Sequence, residues 1–408
     1  MTVPGPAAAV QQLLVPMDGE QTDHLKAYGY AFLTIQDGAA AEWLLNYRSG
    51  SFIVPDTPDL RRRAALMGVT STPVSASDVA RIRAEIAARN MEAVKLDKAP
   101  RIAIYTPPNS SPWDDAVTMA LDYARIPYEL VWDGEVMAGA LDQYDWVHLH
   151  HEDFTGQYSK FYLAYASAPW LQEEVARNEA MAADLGFGSV PALKREVARR
   201  LREYVESGGF LFAMCTATET LELALAAAET DIAAAFADGS PISPSARNQM
   251  DWDQALAFHD ALLVTDPSLS AFSDIDGHQV NTPWRRELGS FVLFDFSAKF
   301  DPVPAMLTQN HERVIEDFYG LTTTFRADRI RSGVTVLAEE PGGETAKYIH
   351  GFLGEGTFTY LGGHDPEDPR HMIGDAHTDL ALHPHSPGYR LILNNVLFPA
   401  ARKKKLKT

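Results

Sequence analysis

The sequence predicts an α/β fold built on a doubly wound parallel sheet, preceded by a smaller N-terminal α/β block and interrupted by an inserted lid region. Three observations carry this. From residue 101 onward, short apolar runs alternate with stretches of helical length; such runs read as strands buried on both faces, and alternation with helices gives parallel sheets. Titratable residues gather just beyond the ends of those runs, where open α/β sheets hold their ligands. A Pro-, Asp-, Ser- and Trp-rich stretch over 239–330 breaks the rhythm and reads as an insertion that covers the site.

Within residues 1–97, strands are expected at Val10–Val15, Tyr30–Ile35, Glu42–Tyr47 and Ser51–Val54. A helical turn is expected over Gln21–Gly29. Helices follow near Pro58–Met67 and Ala76–Asn90, the second capped by Ser77. The polar run Lys95–Pro100 marks a boundary, and 98–408 is read as the second domain. There Arg101–Thr106, Tyr128–Trp132 and Tyr144–His150 read as strands, and Asp114–Ile126 as an amphipathic helix. Ala168–Ser207 reads as one long helical stretch. A glycine turn at Gly208-Gly209 then leads into a buried strand, Cys215 and an Ala/Leu-rich helix. After the insertion, Val334–Ala338, Tyr348–Phe352 and Thr357–Leu361 are strands, and Pro387–Ala401 is the closing helix.

A hydrophobic content of 46% supports a sizeable core. No run approaches the roughly 18 apolar residues that a membrane span requires, so no membrane role is expected. The N-terminus lacks a basic, apolar leader pattern, and a cytoplasmic location is expected. Net charge of −20 argues against nucleic-acid binding, which needs clustered cations. The basic run Arg402–Lys407 reads as a solvated tail.

Cys215 is the only cysteine. No intramolecular disulfide can form, and the thiol sits where a strand meets a helix, a position that favours thiolate. Two other strand ends are expected at the same crevice: His148-Leu-His150-His151-Glu152-Asp153 and His364-Asp365-Pro366-Glu367. A cysteine nucleophile needs a base, and the base an orienting acceptor. His364 suits the first role, and Glu367 or Asp365 the second. The backbone N–H of Thr216, with a group from His151 to Gly156, would stabilise the oxyanion. In the first block, Arg48 or Lys26 is the expected charge partner for a small polar substrate. No cofactor is required on this reading. A competing one has zinc or iron held by His150, His151 and Glu152, with Cys215 and His364. His371, Asp375, His377, Asp379, His383 and His385 supply further ligand types in the C-terminal loop.

At these residues the second domain resembles the class I glutamine amidotransferase-like superfamily, over about 100–238 and 330–400. The resemblance implies a flavodoxin-like sheet, Cys215 as nucleophile on a tight elbow, His364 as base and Glu367 as third member. It implies a hydrolase or amidotransferase acting on an amide C–N bond, as a homo-oligomer or beside a synthase partner. Ala213 and Ala217 stand where that family's elbow carries glycines, and His-His-Glu-Asp replaces its Pro-Gly-Gly oxyanion loop. The chain is also similar to bacterial proteins labelled asparagine synthetase B, through Val15–Asp18, His24–Gly29, Trp43–Arg48, Pro112–Ala116 and His148–Gln157. The N-terminal cysteine and Ser-Gly-Gly-x-Asp-Ser loop of that enzyme are absent, so this likeness implies a fold and not asparagine synthesis. A non-catalytic binding or maturation module on the same fold is the third expectation.

Overall fold

The computed structural model describes residues 11–108, 115–277, 289–370, 372 and 374–401. His371 and the basic tail lie outside them. The chain is α/β, with two sheets. The first holds β1 (Gln12–Val15), β2 (Ala41–Leu45), β3 (Ser51–Pro55), β4 (Thr72–Val74) and β5 (Glu92–Leu96), in the order β4-β1-β3-β2-β5. Every pairing in it is antiparallel.

The second sheet begins at β6 (Ile102–Tyr105), past the expected boundary. It continues through β7 (Glu129–Val131), β8 (Trp146–Leu149) and β9 (Phe210–Met214). The inserted region adds β10 (Ser290–Leu293), β11 (Val314–Glu316) and β12 (Phe325–Arg326). The chain then supplies β13 (Thr335–Glu339), β14 (Thr345–Leu353) and β15 (Gly356–Leu361). The order is β11-β10-β13-β14-β15-β9-β8-β6-β7, with β12 on β14. The five strands from β15 to β7 run parallel. The remainder pair antiparallel, so the wholly parallel sheet expected is corrected to a mixed one. The Pro341-Gly-Gly turn explains the difference at β13–β14, since a tight hairpin can only join antiparallel neighbours.

The helices of nine or more residues are α1 (His24–Gln36), α2 (Pro58–Met67), α3 (Ala76–Ala88), α4 (Ala116–Ala124), α5 (Pro169–Asp184), α6 (Val190–Glu206), α7 (Ala217–Ala226) and α8 (Pro387–Leu397). The strand expected at Tyr30–Ile35 is the second half of α1. Ten of that helix's thirteen residues are buried, because it packs against α4 and α8 beneath the first sheet. A helix covered on all sides carries no polar stripe, and its apolar run imitates a strand. The cap of α3 is Ser75, not Ser77, through a reciprocal pair with Asp78. The single helix expected over Ala168–Ser207 is two. Ser189 caps α6 through the Ala192 N–H, with Pro191 in its first turn.

The insertion is stitched to the elements that carry the site. Glu222 of α7 accepts hydrogen bonds from Leu256 N–H at 2.8 Å, Ala257 N–H at 3.1 Å and the Tyr360 hydroxyl at 2.6 Å. Glu219, one turn earlier, accepts from Ser273 Oγ at 2.5 Å and Thr322 Oγ1 at 2.9 Å. Lys347 pairs with Asp317 at 2.5 Å and donates to Phe318 O at 2.7 Å, all fully buried.

Buried titratable groups set the pH profile of stability. Burial lowers His24 to about 3, His311 to about 4 and His350 to about 3, from 6.5. Burial raises Glu219 and Glu222 to about 7, from 4.5. The histidines bind fewer protons folded than unfolded, so their contribution is whole above pH 6.5 and is lost as pH falls toward 4. The carboxyls bind more protons folded, so theirs is whole below pH 4.5 and is lost as pH rises through 7. The opposing trends meet between pH 4.5 and 6.5. Thermal melts are expected to show a plateau there, with falling midpoints on both sides, and Glu222→Gln should soften the alkaline fall. A midpoint that climbs steadily from pH 5 to 8 would contradict this assignment.

Candidate functional site

Three parallel strands deliver the site. Cys215 follows β9, His150 and His151 follow β8, and His364 follows β15 after Gly362-Gly363. The ligand-type atoms of His150, His151, Cys215 and His364 all lie within 4.8 Å of one another. The expected convergence of the three strand ends is therefore present.

Cys215 is the elbow. Its φ is +50°, whereas neither Ala213 nor Ala217 has a positive φ. The strained conformation falls on the cysteine itself, so alanine is tolerated on either side. Strain of this kind in a non-glycine residue persists only where the surroundings over-determine it. Here Cys215 N–H donates to Gly363 O at 3.2 Å, and Ala217 N–H to His150 O at 3.0 Å. Close approach is supplied elsewhere, by Gly320 and Gly363. A Cβ on Gly320 would sit 3.0 Å from the thiol sulfur. One on Gly363, whose φ is +90°, would sit 2.6 Å from Phe318 O.

The thiol is 3% exposed. Burial pushes it up, but the hydrogen bond and charge of His364 outweigh that, and it lies below its ordinary value. Leu321 N–H, from the insertion, points at Sγ from 3.4 Å. Within the expected oxyanion segment, His151 to Gly156, the Gly156 N–H is bonded to Asp153 O at 3.0 Å. Thr216, fully buried, begins α7 directly after the thiol.

The orienting partner is also corrected. Glu367 pairs with His383 at 2.7 Å. Asp365 accepts from Glu367 N–H, Thr378 Oγ1 and the Tyr389 hydroxyl, and fixes the loop that carries His364. His364 Nδ1 meets His150 Nε2 at 3.1 Å instead. His150 Nδ1 in turn lies 3.2 Å from Asp115, which also holds His148 Nε2 at 3.3 Å. Burial opposes ionisation of Asp115, yet the charges and hydrogen bonds of His148 and His150 hold it well below the usual carboxylate range. Burial lowers His150 to about 4. At neutral pH this makes an ionised carboxylate beside the neutral imidazole of His150. Asp115 also caps α4, accepting from Val117 and Thr118 N–H.

The other expected residues are placed elsewhere. Arg48 binds Asp18 at 2.6 Å and Glu20 at 2.6 Å. Lys26 pairs with Asp23 at 3.2 Å and lies over the Tyr123 ring. Both knit the N-terminal block and the helices beneath it. Asp153 accepts from Thr155, Gln157 and Ser159 N–H and is a loop organiser. Glu152 lines a separate cavity with Lys194 and is not part of the four-residue cluster. Asp115, Leu321 and the contact of His150 with His364 are not assigned by the sequence reading. The signal for Asp115 was the run ending Asp-Asp-Ala116, of which Pro112–Asp114 lie outside the described residues.

Among the described residues, no helix is long and apolar enough to cross a membrane. No family model matches the chain, and no curated protein matches it. Among solved structures, it is similar to the cytoplasmic protein STM3548 from Salmonella typhimurium. Identity is 12% and the TM-score 0.37, over 74% of this chain and 100% of that one. It is similar to the cytoplasmic protein STM1381 from Salmonella typhimurium LT2 at 11% and 0.35, over 74% and 99%. It is also similar to Gan42B, a GH42 beta-galactosidase, at 11% and 0.30, over 67% of this chain and 29% of that one.

Proposed function

We propose that the protein is a cysteine-dependent hydrolase or acyl-transfer enzyme of the class I glutamine amidotransferase-like type, acting on an amide C–N bond of a small polar substrate. The observation that carries this is the positive φ of Cys215 at a strand-to-helix elbow, with His364 drawing its thiol toward thiolate. The parallel strand order β7-β6-β8-β9-β15 supports the flavodoxin-like part of the reading.

Cys215 Sγ attacks the amide carbonyl, and its proton passes to His364. The His150–Asp115 pair steadies the imidazolium that forms. Leu321 N–H, with Thr216 N–H beside the sulfur, receives the oxyanion. His364 returns the proton to the departing nitrogen. The thioester is then cleaved by water or transferred to an amine. A glutamine-mimicking chloroketone is expected to add one label at Cys215, read by intact mass and peptide mapping. An unlabelled thiol after prolonged exposure would remove the nucleophile role.

The four-residue cluster favours a second reading, as a zinc or iron centre. His150, His151, Cys215 and His364 are a ligand set of the right chemistry. The Asp115–His150 contact has the form of a carboxylate that orients a metal-bound imidazole. On that reading the metal would supply Lewis acidity, and Cys215 would be a ligand. Stoichiometric zinc or iron in purified protein, lost with His151→Ala, would favour it over the thiol mechanism.

A further inference from the structure

A cavity of about 60 Å³ opens beside His151, one of the four residues of the thiol cluster. That is several times the ~10–15 Å³ which one water needs. Three of its lining side chains bring polar atoms that are buried and make no hydrogen bond: Trp132 Nε1, Tyr158 Oη and Glu152 Oε2. Trp132 and Tyr158 are only 5% and 4% exposed. Buried donors and acceptors are nearly always satisfied, so three orphans on one cavity mark a place for a ligand.

The backbone is strained to bring one of them there. Tyr158, Ser159 and Lys160 all have positive φ, +54°, +52° and +56°. Consecutive non-glycine residues rarely adopt this conformation. The turn is held by the Asp153 carboxylate on Gln157 and Ser159 N–H, and by Lys160 Nζ on Val264 O and Ala271 O. Its product is a tyrosine in the cavity wall whose hydroxyl is buried.

We propose that Trp132, Tyr158 and Glu152 form the anchoring subsite for an uncharged carboxamide or ureido group of the substrate. This rests on the amide-hydrolase reading above and names the substrate class for it. A carbonyl oxygen has two lone pairs, enough for both the indole N–H and the phenol O–H, and its NH₂ can donate to Glu152. A carboxylate carries no N–H for Glu152 Oε2 to accept. An ammonium has no lone pair for the two donors. Of the cations in the lining, Lys194 bonds to Asp133 at 2.8 Å and to Tyr105 at 3.0 Å, and Arg177 to Pro108 O at 3.2 Å. Glu174 also lines the cavity, which makes an ammonium the competing ligand. His151 belongs both to this lining and to the thiol cluster, so the anchored group lies next to the reacting centre.

The test follows the Trp132 indole N–H resonance in the full-length protein, assigned by its loss in Trp132→Phe. Propionamide, sodium propionate and propylammonium chloride are the probes. Propionamide is expected to shift the resonance saturably, and Tyr158→Phe to weaken that binding about fivefold, the worth of one hydrogen bond. Without a probe, Tyr158→Phe should leave the melting temperature unchanged or raised, since the hydroxyl it removes has no partner. Propionamide binding is expected to persist in Cys215→Ser. A shift with propylammonium but not propionamide would overturn the amide assignment in favour of a cation site. No shift with any probe would mean a water-filled cavity and end the proposal. Chloroketone labelling reports separately on Cys215, so loss of labelling with retained amide binding would fall on the reaction and not on the subsite.

Discussion

Cys215→Ser and Cys215→Ala are each expected to reduce release of ammonia or amine from the protein's amide substrate by at least about 10⁴-fold, as removal of a nucleophile does in other catalytic triads. The thiol is the one group in the cluster whose chemistry depends on its neighbours' arrangement. His364 lowers it, Leu321 N–H meets its sulfur, and the elbow fixes its direction. A serine hydroxyl in the same place stays protonated, and the imidazole chain is built for a softer acid. The loss should come without unfolding. Serine adopts the same backbone, and the change in stability is expected to stay under about 1 kcal/mol by thermal melts. Substantial turnover in both variants would end the nucleophile role, and metal analysis of the same samples would show whether the cluster serves as a metal centre instead.

Asp115→Ala is expected to cost about 3 kcal/mol of stability and to slow alkylation of Cys215 at pH 7 roughly tenfold, from the loss of a helix cap together with charge-assisted bonds to two buried imidazoles. The carboxylate begins α4 and at the same time holds His148 and His150. Asp115→Asn separates the two roles. Its side-chain oxygen can still cap the helix, so part of the stability should return. It carries no charge to steady an imidazolium through His150, so thiol reactivity should not return with it. Urea melts and iodoacetamide kinetics on the two variants measure each role. Equal recovery of both quantities in Asp115→Asn would reduce Asp115 to a helix cap.

The central part of the site could be read from residue order alone. Cys215, His150 and His364 each follow a short apolar strand, and parallel strands bring such ends together. The third member could not be read in this way. Glu367 lies close to His364 in sequence, but its loop turns the carboxylate to His383. Asp115 is distant in sequence and looks like an ordinary cap until β6 and β8 pair and place α4 behind the histidines. Leu321 meets the sulfur through a backbone N–H, which no side-chain pattern announces. In the fold, the short apolar strands and the helices α2 and α4 were legible. The helix α1 was split into a turn and a strand, because burial on every side removed its periodicity. In the antiparallel half of the second sheet, β13 and β14 were legible as strands, whereas β10, β11 and β12 lie in an insertion whose strands are only two to four residues long.

The helix layer formed by α1, α4 and α8 gives the molecule one consequence beyond chemistry. Its apolar side chains belong to a single core that reaches from Leu13 in the first sheet to Phe212 in the second. The residue that steadies the imidazoles stands at the first turn of one of those helices. Cutting the chain near residue 98 would therefore not liberate a working half. It would bare the underside of α4 to water and loosen Asp115 from the histidines, so the two sheets must be expressed and engineered as one unit.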